Sequence, residues 1–88
     1  MAAPLSAEVL QDELAISVAR VLTAANKRAR ELGMDVSRSL ITVSQAVDNG
    51  TYWRVNYGPR DYIGRRGGDL IIEVDAGDAS IKRVLRGQ

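Results

Sequence analysis

The stretch Ser39-Leu40-Ile41-Thr42-Val43-Ser44-Gln45-Ala46-Val47-Asp48-Asn49-Gly50-Thr51-Tyr52-Trp53-Arg54-Val55-Asn56-Tyr57 decides the fold. Apolar and polar residues alternate on both sides of an Asp-Asn-Gly turn, which is the pattern of a β-hairpin. Two registers compete. A two-residue Asn-Gly turn would pair Val47 with Tyr52 and set Trp53 opposite Ala46. A three-residue turn with Gly50 in the left-handed region pairs residue 47 with 51, 45 with 53, 43 with 55 and 41 with 57. The second register gathers Ile41, Val43, Val47, Trp53, Val55 and Tyr57 on one face, and a slip of one residue would flip them. The sequence therefore predicts strands over about 39–47 and 51–57 in that register.

Upstream of the hairpin the period changes from two to 3.6. Leu10, Leu14, Val18, Val21, Leu22, Ala25, Ala29 and Leu32 recur at helical spacing. Ser6 is placed as an N-cap, with Glu8 in the first turn and Leu5 and Leu10 as a hydrophobic staple. Gly33 closes the run as the residue after the cap, and Lys27, Arg28 and Arg30 suit the negative end of the helix dipole. One helix over about 7–32 would be about 39 Å long, long enough to bend or overhang a small sheet.

Downstream, two more strands are predicted over about 69–75 and 80–86, joined by the turn Asp75-Ala76-Gly77-Asp78. Leu70, Ile72 and Val74 join the core face, and Ile81 and Leu85 are placed to continue it. The aspartates of that turn are expected to bond their own backbone rather than a metal. Gly58–Gly68 has no apolar periodicity and reads as one long loop. By parity the opposite, open face carries Thr42, Ser44, Tyr52, Arg54, Asn56, Ile71, Glu73, Lys82, Val84 and Arg86. The fold class is thus α+β, one long amino-terminal helix packed on a four-stranded antiparallel sheet, in a single domain spanning 1–88.

Composition narrows the function. The 88 residues suffice for one domain with a modest core. There is no histidine and no cysteine. This removes the usual general base, the commonest zinc ligand, thiolate metal sites and the Ser-His and Cys-His nucleophile pairs. Twelve basic residues against eleven acidic ones leave a net charge of +1, small for a dedicated nucleic-acid binder. Met1–Leu5 has no basic region followed by an apolar run, and no stretch is long enough to span a membrane. The expectation is a cytoplasmic, non-enzymatic protein with no cofactor, no metal and no membrane partner.

The aromatic residues Tyr52, Trp53, Tyr57 and Tyr62 cluster with Arg54, Arg60, Arg65 and Arg66. Tyr, Trp and Arg dominate the energetics of protein interfaces. Parity turns Trp53 and Tyr57 inward as core. Tyr52, Arg54, Arg60, Tyr62, Arg65 and Arg66 are left as candidate partner-binding residues, with no catalytic and no metal-binding residue assigned. The same arginines could hold phosphates, with Tyr52 or Tyr62 stacking on bases. The glycines of the 58–68 loop do not make a phosphate loop, because a strand follows them where a helix amino terminus is needed. Pairing of two copies through the open face or a strand edge would also account for its apolar residues.

Two resemblances reach specific residues. Tyr52-Trp53-Arg54-Val55, then Gly67-Gly68-Asp69-Leu70-Ile71-Ile72-Glu73-Val74-Asp75 and Gly77, resembles small bacterial PepSY-like and nuclear-transport-factor-like immunity domains. That resemblance covers about residues 39–88 and implies a non-catalytic protein that binds and neutralises another, such as a toxin, enzyme or peptidase. The order of one helix and four strands is that of cystatins. Gln45-Ala46-Val47-Asp48-Asn49-Gly50 is similar to their Gln-x-Val-x-Gly hairpin, which implies a protease inhibitor. The hairpin departs from that pattern by one extra residue before Gly50, and Ala76-Gly77 stands where cystatins carry a Pro-Trp pair. The sequence thus points to a protein-binding module of inhibitory or immunity type, with a nucleic-acid-binding module and a cystatin-like inhibitor as the alternatives.

Overall fold

A computed structural model describes residues 7–59 and 69–86. Helices α1 (Ala7–Leu10) and α2 (Glu13–Glu31) precede strands β1 (Ser39–Val47), β2 (Thr51–Pro59), β3 (Leu70–Asp75) and β4 (Ile81–Arg86). The strands form one antiparallel sheet in the order β1-β2-β3-β4. This is the predicted α+β arrangement.

The single helix expected over 7–32 is broken near its start. Asp12 takes an extended conformation, and its Oδ1 accepts a 3.0 Å hydrogen bond from the Ala15 amide. A carboxylate in that position satisfies one of the amides that a helix start leaves unpaired, and it opens α2 there. Leu10 and Leu14, expected on the core face, are instead 58% and 62% exposed. The candidate cap Ser6 lies outside the described residues. At the other end Gly33 behaves as predicted, at φ 89°. Its amide donates to the Arg30 carbonyl and the Met34 amide to the Ala29 carbonyl, the paired bonds of a Schellman ending. A short 3-10 turn, Val36–Arg38, leads into β1.

The hairpin adopts the three-residue register, with Val47 opposite Thr51, Gln45 opposite Trp53 and Ile41 opposite Tyr57. Asn49 joins Gly50 at positive φ, at 57° and 110°. Asparagine tolerates this conformation better than most residues.

The core lies between α2 and the centre of the sheet. Val21, Ala25 and Ala29 from the helix meet Val55, Tyr57, Leu70, Ile72 and Val74. Ala25 and Ala29 are fully buried, and such small side chains let the helix backbone come close to the strands. Trp53 packs at the border of this cluster.

β4 departs from the predicted parity. Its register shifts between Glu73 and Val74, so that Glu73 pairs with Arg83 and Val74 with Ile81, leaving Lys82 as an extra residue. Beyond this bulge the faces exchange. Val84 pairs with Ile72 and packs against the core, and Arg86 pairs with Leu70 on the same face. Leu85, expected inside, pairs with Ile71 on the open face.

Candidate protein-binding site

β1 is a nine-residue strand of Ser, Leu, Ile, Thr, Val, Ser, Gln, Ala and Val, with no charge and no proline. It lies at one edge of the sheet. Helix α2 sits over β3 and, to a lesser extent, β2. Ile41, Val43 and Val47 therefore point to the helix side of the sheet, as predicted, yet are 37%, 36% and 79% exposed. Leu40, on the other face, is 47% exposed. Alternation correctly assigned these residues to a face, but alternation does not say how far across the sheet one helix reaches.

The opposite edge is protected. β4 carries Lys82, Arg83 and Arg86 and the bulge, devices that discourage strand pairing. β1 has none of them. The absence of charge from 39 to 47 was the sequence signal for this surface.

The open face is an organised polar layer. The Glu73 carboxylate is buried there, at 2% exposure, between the neighbouring strands. Its Oε1 accepts a 2.9 Å hydrogen bond from Arg83 Nε. Arg54 Nε stands 3.6 Å from Oε2, an ion-pair distance, and Oε2 accepts no hydrogen bond. The hydrogen bond to Glu73 and its negative charge push the Arg83 pKa up. Lys82 folds over the Tyr52 ring, with its Nζ 4.9 Å from the centroid, a cation–π arrangement. Asp48, Tyr52, Glu73, Lys82 and Arg83 line a hollow of about 190 Å³ between these groups. Asn56 donates a 3.1 Å hydrogen bond to Asp69.

Of the residues singled out from sequence, Tyr52 and Arg54 are therefore both on the open face, Tyr52 half-buried under Lys82 and Arg54 engaged with Glu73. Arg60, Tyr62, Arg65 and Arg66 lie outside the described residues. The aspartates of the β3–β4 turn do bond their own backbone. Asp75 Oδ2 accepts from the amides of Gly77 and Asp78, and Asp78 Oδ1 accepts from the Ser80 amide and hydroxyl. The Ser80 hydroxyl bond is the main cause that holds the Asp78 carboxyl below its usual pKa. Among the described residues no group of three or more acidic side chains is placed to hold a metal ion, and no helix is long and apolar enough to cross a membrane.

Another hollow, apolar and of about 470 Å³, opens beside the helices where α1 meets α2, with Leu10, Ala15, Ile16, Ala19 and Ala24 in its wall.

No family model matches the chain, and no curated protein and no solved structure matches it.

Proposed function

We propose that the chain is a non-enzymatic protein-binding module of the inhibitory or immunity kind, and that β1 is its principal contact element. The observation that supports this reading is the exposure of β1 on both faces at the edge of the sheet, where no strand among the described residues pairs with its outer side. An uncharged edge strand offers a row of backbone donors and acceptors, and Ile41, Val43 and Val47 add an apolar strip beside it. Strand addition of this kind draws affinity from the backbone and specificity from alternate side chains. The open face contributes Tyr52 and Arg54 at the margin, held in place by Lys82 and Glu73. Arg54 shares the Glu73 carboxylate with Arg83, which partly offsets its charge toward a nucleic-acid phosphate.

The test is affinity capture with the tagged chain, at low and moderate salt and with nuclease in parallel. A discrete protein is expected to survive both treatments and to be lost from an Ile41→Lys, Val47→Lys double variant. Recovery of nucleic acid instead, with binding that falls steeply with salt, would overturn the reading.

A further inference from the structure

The geometry of β1 points to a second copy of this chain as an occupant of its edge. The inference rests on β1 being a protein-contact element, and it specifies the partner and the register. Strands related by a two-fold axis normal to the sheet run antiparallel, and residues directly opposite share a face. An axis through Val43, the middle residue of β1, pairs all nine residues of the strand with the nine of the partner. Any other allowed register leaves unpaired residues at both ends. In this register Val43 meets Val43 of the partner subunit on the helix side. Leu40 meets Ala46 of the partner subunit on the other face, a large side chain against a small one.

The flanking charges agree with the same register. One step beyond the strand, Arg38 falls beside Asp48 of the partner subunit, and by symmetry the contact occurs twice. The Arg38 side chain is 86% exposed and holds Asp35 only at 3.7 Å, so it is available for a partner. β4 is a poor substitute for β1, because it carries three cations, and self-pairing centred on Val84 would set Lys82 against Arg86 of the partner subunit. The axis also places both α2 helices on one face of an eight-stranded sheet. The uncovered strips with Ile41 and Val43 then lie side by side between the helices. A nine-residue strand spans about 31 Å, and an edge contact of that length falls at the small end of specific interfaces. The dimer is therefore reversible and dependent on concentration.

Sedimentation of the intact chain from about 1 µM to about 1 mM tests this. The mass is expected to rise from that of one copy, 9.6 kDa, to twice that value, and Val43→Lys is expected to abolish the rise. Because the chain has no cysteine, a single introduced thiol reports the register. Val43→Cys should form a disulfide-linked dimer under mild oxidation. Leu40→Cys should not, since this register holds its two copies about 20 Å apart. A single-copy mass throughout, or equal cross-linking of the two cysteine variants, would overturn the inference. A monomer that still captures a foreign protein sinks the dimer alone, and a dimer that captures nothing sinks only the inhibitory reading.

Discussion

The Tyr57 hydroxyl donates a 2.7 Å hydrogen bond to Oδ1 of Asn26, tying the middle of α2 to the buried face of β2. The ring of Tyr57 is fully buried beneath the helix, so this bond lets a large aromatic side chain enter the core with its polar tip satisfied. It also fixes the helix along the sheet, because Asn26 sits one residue after the buried Ala25.

Burial pushes the Tyr57 phenol from 10.0 up to about 12, partly offset by the positive charge of Arg30. The folded chain therefore keeps this proton where the unfolded chain has lost it. The stability that this confers is fully present below pH 10 and is lost as pH rises from 10 to 12, with a limiting slope of about 1.4 kcal/mol per pH unit. Thermal melts of wild type and Tyr57→Phe across that range should show the steeper loss in wild type. Parallel curves would mean that the Tyr57 phenol titrates as it does in water.

Arg83→Ala should lower the urea midpoint clearly, because it leaves the buried Glu73 carboxylate without its hydrogen-bond donor. Arg54→Ala should cost less, since Arg54 only approaches Oε2 at 3.6 Å. Adding Glu73→Gln to Arg83→Ala should recover part of the loss by removing the buried charge. Urea denaturation of the four proteins checks the order. Equal losses for the two arginines would refute the unequal roles assigned to them.

Ala79 sits at φ 59° in the β3–β4 turn, held by its amide bond to the Asp75 carbonyl. A side chain in the left-handed region is strained, and glycine relieves the strain. Ala79→Gly should raise stability by up to about 1 kcal/mol, less what is lost when its methyl no longer packs against the core. A lower melting temperature for this variant would show that packing outweighs backbone strain.

Much of the fold is legible in the sequence because local pattern and long-range packing agree. The hairpin register follows from Ile41 and Val43 needing the same face as Val55 and Tyr57, and Gly33 marks the helix end through its backbone freedom. The errors arise where one residue can be read two ways. Asp12 looks like one more polar position on a long helix, but its short carboxylate competes for the backbone and starts the helix anew. The bulge at Lys82 is invisible to a period-two count, so Val84 and Leu85 exchange faces. For the site, the pattern shows which way Ile41, Val43 and Val47 point, but not that α2 centres on β3 and leaves them uncovered.

The buried Glu73 also bears on how the last strand finds its place. β4 is apolar on both faces, with Ile81 and Val84 on one side and Leu85 on the other, so greasiness alone scarcely distinguishes one alignment from the next. A shift by one residue in one direction would set Val84 against the Glu73 carboxylate in place of the Arg83 guanidinium, and in the other direction Lys82. The single acid in the middle of β3 thus favours alignments that bring a cation of β4 opposite it. It disfavours the alignment that would bury it against Val84, which the hydrophobic residues alone would accept.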